Sequence, residues 1–519
     1  MARYYLTTAI DYANGEPHIG HAYEKIGADA IARYRRMRGD DVWFLTGVDE
    51  HGQKVAQAAA DKGVSPQAFV DEISSRFEAM WQRLSISNDI FMRTTSDSHK
   101  RGVRAFIERI HERNPDAFYE KSYEGWYCVG CELFKRDDEI EGGKCVLHPT
   151  RTLEWTTERN WFFRLSAYAG FIRDLFERQP NFLAPDTRRN EILSLLDQGL
   201  EDISVTRARL TWAIPFPIPL STGEIQGTWV WFDALPNYLT ATCFPSEGYE
   251  KRWPAQLHVI GKDITRLHTV IWPAMLHAAG VALPDRVWSH GFVLLGGERF
   301  SKSSGVRLDV YEAIERYGTD AFRYFLLREV PFDADGSFSF ERFDERYVAD
   351  LANALGNLAS RAISMVEKYC DSIVPTGARG TLDHSDDADL AGYHAALDGS
   401  QGFLLHEGLK RVMACVTRGN EFVQSSQPWA LAKNQELRPQ LEQVLATIVR
   451  QLARHAIHLA PFMPAKAQEL WEQLGGRGRV GDQRFADVAT LDVTGWRVAK
   501  GAALFPKREE GSGKREAGG

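Results

Sequence analysis

Between Met1 and Asp49 the hydrophobic positions change period twice. Residues 3 to 10, rich in tyrosine, threonine and isoleucine, predict a strand, and Asn14-Gly15 is turn chemistry. From about His18 to Met37 the apolar residues Ile26, Ala30, Tyr34 and Met37 follow helical spacing, closed by Gly39. "DVWFLTGVD" then predicts a second strand ending on Asp49. Strand, glycine-bearing loop, helix and strand open a doubly wound parallel α/β sheet, a fold that binds ligands at the carboxyl ends of its strands. His18, His21 and Asp49 are therefore expected together at one rim.

Further along, residues 1–114 read as the first half of this Rossmann-like domain. Residues 115–225 change character to short strand-like pieces, glycines and a cysteine cluster, followed by a helix-like "FFRLSAYAGFIRDLFERQP". The sheet pattern resumes over 226–325 with "GTWVWFDALPNYL", "QLHVIGKDI" and "VWSHGFVLLGGERFSKSSG". After a linking segment, 326–345, strand signals nearly vanish, and amphipathic runs such as "LEQVLATIVRQLARHAIHLAPFMP" predict an all-α bundle over 346–497. The charged, glycine-rich residues 498–519 are expected to form a disordered tail.

Composition narrows the class without naming it. With 519 residues, 44% hydrophobic and 25% charged, the chain has material for several domains of a soluble enzyme. The formal charge of −8 excludes a uniformly basic coat but leaves room for a local nucleic-acid patch. "MARYYLTTAI" lacks signal-peptide features, and the most apolar later stretch is too short to cross a bilayer, so no membrane partner and a cytoplasmic location are expected. Six cysteines in such a compartment point to thiols or metal ligands rather than a disulfide framework.

Two segments carry phosphate chemistry. "PHIGH" puts His18 and His21 three apart in the first turn of a helix, where unpaired N–H groups and the helix dipole favour an anion. Gly20 between them removes side-chain bulk where a base or ribose could approach. "GGERFSKSSG", residues 296–305, sets Arg299 and Lys302 in a small glycine- and serine-rich loop after a strand, suited to closing on pyrophosphate.

"HIGH" at 18–21 and "RFSKS" at 299–303 resemble the two signatures of class I aminoacyl-tRNA synthetases, the second usually written K-M-S-K-S; Arg299 keeps the charge of the first lysine and Lys302 is retained. "AIDYANGEPHIGHAYE", "GVDEHGQKV", "WVWFDALPNYL", "VIGKDITRLHTVIWPAML" and "NALGNLASR" extend the resemblance to the methionyl family, from the first strand to about residue 465. This implies ATP-dependent activation of methionine and its transfer to the 3′-terminal adenosine of tRNA(Met), with Mg²⁺ accompanying ATP. It implies catalytic roles for His18, His21 and Lys302, and ATP contacts at these residues and at Gly20, Gly261 and Arg299. The methionine pocket carries over onto Ala9, Ile10, Tyr12, Asp49, Trp231, Ala234, Leu235, Tyr238, Asp263, Ile264 and His268, with Asp49 receiving the substrate ammonium. Asp11 and Leu235 stand where prolines are common in some members. A thioether independently calls for an apolar, aromatic-walled slot with one polar check on sulfur, from Tyr12 or His268.

"YCVGCELFKRDDEIEGGKCVLH" gives Cys128-x2-Cys131 and Cys145-x2-His148, a four-ligand set with zinc-knuckle spacing and no open position. One structural zinc is expected, in an insertion where the family often carries a knuckle. Cys243, Cys370 and Cys415 lack companion spacing and are expected as buried thiols. In the helical part, Asn357 and Arg361 share a helix face and Trp429 follows Pro428; by resemblance the trio reads the anticodon through stacking and edge contacts. With no extra dimerisation domain evident, a monomer is expected. Rivals are a class I enzyme for valine, isoleucine or leucine, for which the insertion is too small to add an editing domain; one for cysteine, expected to put zinc within its amino-acid pocket; a simpler nucleotidyltransferase, which has no need of the long helical region; and a non-catalytic relative, which has no need of His18, His21, Asp49 and Lys302.

Overall fold

The computed structural model describes residues 1–507, apart from 130–132, 136, 296–297 and 300–308. It contains two compact units, Met1–Ala28 with Asp41–His290, and Asp29–Asp40 with Gly291–Gly519.

The first unit is built on a seven-stranded parallel sheet. Its order is Leu183–Ala184, Val287–His290, Leu257–Gly261, Arg3–Thr8 and Asp41–Asp49, with Asp11–Tyr12 and Ile90–Arg93 both paired to Asp41–Asp49. From Arg3–Thr8 the chain turns to Asp41–Asp49 on one side and reaches Leu257–Gly261 on the other much later. The strand order thus reverses between Arg3–Thr8 and Leu257–Gly261, and the crevice beyond their carboxyl ends is the switch point where such sheets bind ligands. Tyr5 of the first strand joins an extended core with Phe106, Trp229 and Trp272, and Leu6 beside it is buried as well.

Between the halves, Phe118–Cys128 pairs antiparallel with Glu154–Phe163 over ten residue pairs from Phe118↔Phe163 to Tyr127↔Glu154. Leu133–Lys135 and Ile203–Ser204 complete this small sheet, and Ile140–Glu141, Lys144–Cys145 and His148–Thr152 form another. The parallel sheet also recruits an edge strand, Leu183–Ala184, from inside the 115–225 segment. Two residues carry no periodic signal, which is why the sequence pattern does not announce it. "FFRLSAYAGFIRDLFERQP" is likewise divided: Phe162 and Phe163 end a strand, and the helix proper is Ala169–Arg178.

The second unit is mainly helical, with Thr319–Glu329, Asn357–Cys370, Thr381–Leu397, Leu405–Ser426 and Arg438–Leu459 as its long members. Arg323 is fully buried there, 2.6 Å from Asp29 Oδ2 and donating to the carbonyls of Pro461 and Phe462. Residues 498–507, expected within the tail, are packed instead: Leu504 and Phe505 are buried, and the Tyr347 hydroxyl donates to Pro506 O at 3.1 Å. Buried Val498 and the backbone bonds from Val498 N–H to Ser372 O and from Ala499 N–H to Gln473 O, both 2.9 Å, help to hold this stretch; residues 508–519 lie outside the described residues. Cys370 and Cys415 are buried as expected, whereas Cys243 is exposed, because its positive φ of 71° places it in a turn after Asn237–Thr240.

Candidate functional site

The helix Ile19–Arg38 begins at the pair that the sequence singles out. The rings of His18 and His21 stack with centroids 3.7 Å apart. Gly20 N–H donates to His18 Nδ1 at 3.1 Å, and His18 N–H donates to His21 Nδ1 at 3.2 Å. Both Nδ1 atoms are acceptors, so each imidazole carries a proton on Nε2. Two parallel rings thus present two Nε2–H donors, the chemistry that phosphate oxygens require. A Cβ at Gly20 would lie 3.0 Å from His18 Cε1, so the glycine makes room for the histidine's own ring.

Beneath this pair lies a buried charge network. Lys25 Nζ, with no solvent exposure, donates to Asp11 Oδ1 at 2.6 Å, Glu24 Oε1 at 2.8 Å and Ala9 O at 3.0 Å. Glu24 Oε2 lies 3.1 Å from His290 Nε2, and Asp11 Oδ1 lies 4.0 Å from His21 Nε2. Burial pushes the Asp11 carboxyl up to about 7, although Lys25 opposes it. Burial also opposes charge on Lys25, but Asp11 and Glu24 more than offset it and hold the ammonium above its ordinary pKa.

The crevice beside the network is apolar. Ala9, Leu235 and Tyr238 belong to one buried cluster, against which Ile10, Tyr12, Trp231 and Ile264 pack half-buried. Asp49 is buried at the end of its strand, in register with Tyr12, and its carbonyl accepts from Ala13 N–H at 2.8 Å. Ala234 is buried, while Asp263 is exposed after the strand end at Gly261. A Cβ at Gly261 would meet Asp263 Oδ1 at 2.8 Å.

His268 sits on a π-helical turn, Leu267–Ile271. Pro273, which lacks an N–H and crowds the carbonyl four residues back, accounts for the widened turn. His268 Nδ1 lies 3.0 Å from the Ile264 carbonyl, which can only accept. The proton is therefore on Nδ1, Nε2 is the acceptor, and the Tyr238 hydroxyl 2.7 Å away donates to it. Burial lowers His268 to about 4, so the ring is neutral at physiological pH.

Sequence reasoning passed over three residues here. Asp233, His51 and His99 form a buried trio in which both carboxylate oxygens of Asp233 are hydrogen-bonded. "DEHG" and "WFDA" contained the signal, but only Asp49, Trp231 and Ala234 were drawn from them. Arg207 was also passed over; it is buried, with its guanidinium 5.5 Å from the Tyr127 ring centroid and 5.8 Å from that of Trp229.

The second phosphate motif falls mostly outside the described residues. Arg299 belongs to the strand Glu298–Arg299, and Lys302 lies in the 300–308 gap. In the cysteine motif, Cys128 and Cys145 are buried in one small cluster with Leu153, capped by Ile140. Strand register sets Cys145 opposite His148, and Cys131 lies outside the described residues. Two thiols gathered under an apolar cover, with a histidine on the neighbouring strand, fit a zinc donor set. In the helical unit Asn357 is exposed, and the Arg361 guanidinium lies 5.8 Å from the ring centroid of half-exposed Trp429. Among the described residues no helix is long and apolar enough to cross a membrane.

A doubly wound parallel sheet whose switch point opens beside paired imidazole donors at a helix start fits an α/β nucleotide-binding enzyme. Comparisons with known proteins agree. Residues 4–151 and 143–363 match the family model "tRNA synthetases class I (M)". The methionine–tRNA ligase of Brucella suis biovar 1 is 42% identical over 503 residues, covering 95% of each chain. That of Rhizobium meliloti is 44% identical over 480 residues, covering 90% of each. The structure of Mycobacterium tuberculosis methionyl-tRNA synthetase in complex with methionyl-adenylate superposes with a TM-score of 0.92 at 38% identity, covering 98% of this chain and all of that one. The chain belongs to the methionyl family of class I tRNA synthetases.

Proposed function

We infer that this protein is a methionine–tRNA ligase. It activates methionine with ATP to methionyl-AMP and pyrophosphate, then transfers the methionyl group to the 3′-terminal adenosine of tRNA(Met). The observation that carries the reading is the pairing of two Nε2–H donors at a helix start with an apolar, aromatic-walled slot at the same switch point.

In the first step a methionine carboxylate oxygen attacks the α-phosphorus of ATP, and the bond from α-phosphorus to the bridging oxygen breaks to release pyrophosphate. The carboxylate is already ionised, so no general base is required, and catalysis comes from positioning and charge stabilisation. His18 and His21 donate to phosphate oxygens, Lys302 and Arg299 bring positive charge to the leaving pyrophosphate, and Gly20 and Gly261 leave room for the nucleotide. Mg²⁺ accompanies ATP and screens its charge. In the second step a ribose hydroxyl of tRNA attacks the carbonyl carbon of methionyl-AMP and AMP departs.

Asp49 receives the substrate ammonium. Ala9, Ile10, Tyr12, Trp231, Ala234, Leu235 and Ile264 wall the thioether, and Asp263 faces the adenylate. Tyr238 and His268 form the polar floor. Since the Tyr238 proton is committed to His268, the hydroxyl oxygen meets the substrate as a polarised edge rather than as a spare donor. Cys128, Cys131, Cys145 and His148 hold one zinc that braces the insertion, and Asn357, Arg361 and Trp429 read the anticodon. The division at 1–114, 115–225, 226–325, 326–345 and 346–497 belongs to this reading, as do a monomeric state and a cytoplasmic location.

The test is ATP–pyrophosphate exchange with each of the twenty amino acids. Exchange with methionine alone is expected; exchange with another amino acid keeps the fold and discards the pocket, and exchange with none removes the enzyme reading. Lys302→Ala is expected to slow exchange while sparing methionine binding, and equal loss of both would remove Lys302 from the transition state.

A further inference from the structure

The carboxylate of Asp233 has no solvent exposure and uses both oxygens. Oδ2 lies 2.6 Å from His51 Nδ1, and Oδ1 lies 2.8 Å from His99 Nε2. A carboxylate accepts, so both ring nitrogens donate to it. We propose that Asp233 is the positioning residue of the amino-acid site, tying the strand end that bears Asp49 to the segment that bears Trp231, Ala234 and Tyr238; this rests on the methionine-pocket reading above.

Each arm of the trio reaches a different wall of the pocket. His51 follows Asp49 by two residues, immediately beyond the strand Asp41–Asp49. The backbone there is held independently: Trp212 Nε1–H donates to Glu50 O at 2.6 Å, and Gly52 N–H donates to Trp212 O at 3.0 Å. The fully buried Glu50 carboxylate accepts from Ser74 Oγ at 2.5 Å, Arg93 Nε at 2.7 Å and Thr95 N–H at 3.2 Å. Asp49 is thus followed by two residues whose side chains are both held, and His51 is the one bonded to Asp233.

Asp233 itself lies between Trp231 and Ala234 in the helical turn Val230–Ala234. The other arm, His99, lies on the helix Asp97–Arg113, and its Nδ1 is 2.8 Å from Thr240 Oγ1 at the end of the turn that carries Tyr238. That helix presses closely on Thr240, since a Cβ at Gly102 would come within 2.4 Å of Thr240 Cγ2. Burial disfavours the charge on Asp233, but the electrostatic attraction and hydrogen bonds from His51 and His99 outweigh it and hold the carboxyl down at about 2. A buried ionised acceptor with two aimed donors constrains geometry more tightly than apolar packing does.

Geometry control predicts an asymmetric kinetic effect, because the trio borders the amino-acid slot and not the phosphate donors. In methionine-dependent ATP–pyrophosphate exchange, His51→Ala is expected to raise the KM for methionine about tenfold or more, with the KM for ATP within about twofold. His51→Asn, whose amide N–H can take the place of Nδ1–H, is expected to recover most of the loss. Asp233→Asn, which replaces one acceptor with a donor, is expected to match His51→Ala, and the His51 pair keeps the test decisive should Asp233→Asn fail to fold. Equal increases in both KM values, or no rescue by His51→Asn, would overturn the proposal. A wild-type protein that exchanges only with another amino acid, or with none, would overturn the pocket reading itself.

Discussion

Lys25 Nζ lies 2.6 Å from Asp11 Oδ1 with both groups removed from water, directly below the two histidines of the helix start. The contact spans fourteen residues and joins the strand Asp11–Tyr12 to the first turns of Ile19–Arg38. Removing one partner of such a pair leaves a buried charge unmet, which costs about 3–5 kcal/mol, whereas removing both costs far less. Lys25→Met should therefore lower the unfolding free energy by about that amount, and Lys25→Met with Asp11→Asn should recover part of it. Chemical denaturation of the three proteins checks this, and a double variant less stable than the single one would contradict it.

Acid should weaken the fold before it reaches the carboxylates. Burial lowers His268 and His394 to about 4 and His458 to about 3, while an unfolded histidine titrates near 6.5. Above about 6.5 neither state takes up the proton. Between there and about 4 the unfolded chain binds protons that the native state refuses, so stability falls as pH drops through this window. Urea midpoints taken from about pH 7.5 down to 5 should decline steadily; a flat profile would mean that these rings are protonated in the fold.

Tyr238→Phe deletes the hydroxyl that donates to His268 Nε2 at 2.7 Å. A buried acceptor left unmet costs about 1–3 kcal/mol, and the ring it orients belongs to the amino-acid slot proposed above. The variant should raise the KM for methionine about tenfold, with a smaller change for ATP. Steady-state exchange kinetics with each substrate varied in turn would reveal an unchanged methionine KM if His268 needs no such restraint.

Trp429 offers an exposed face with the Arg361 guanidinium 5.8 Å from its centroid. Stacking a base on such a ring is worth about 1–3 kcal/mol. Trp429→Ala should accordingly raise the KM for tRNA about tenfold in aminoacylation and leave pyrophosphate exchange unchanged. A loss of exchange as well would assign the residue to folding.

The thiols of Cys128 and Cys145 share one small buried cluster. One equivalent of zinc per chain is expected by elemental analysis of purified protein, and Cys128→Ser should reduce it. A metal-free wild type that remains folded would remove the metal from the insertion.

Much of the site was legible before any coordinates. The spacing of His18 and His21 at a helix start is a local pattern that chain geometry carries into space almost unchanged, and Cys128 and Cys145, one from each half of the cysteine motif, do meet in one cluster. The trio around Asp233 was not legible as a unit: His51 and Asp233 each fall within a quoted stretch, but His99 and His51 lie 134 and 182 residues from Asp233, and nothing local pairs them. Gly20 was legible as a necessity but not for its reason, which is the ring of His18. Leu183–Ala184 was hidden for a simpler cause: two residues cannot express a period.

The sequence by itself determined the order of elements, the parallel α/β character of the first half, the helical character of the second and the two motifs that nominate phosphate chemistry. These follow from interactions among near neighbours, where a period of two or 3.6 residues decides which face is apolar. Only the tertiary structure decided which nitrogen of each histidine bears its proton, which carboxylates are shared, and where polar faces go. Arg438–Leu459 makes the point: its pattern reads as amphipathic, yet Arg450, Gln451 and Arg454 are buried, with Arg450 Nε 2.8 Å and Gln451 Nε2 2.6 Å from Asp383 Oδ1. A polar face predicts water until a neighbouring helix supplies the partners, and that choice depends on packing between segments far apart in the chain.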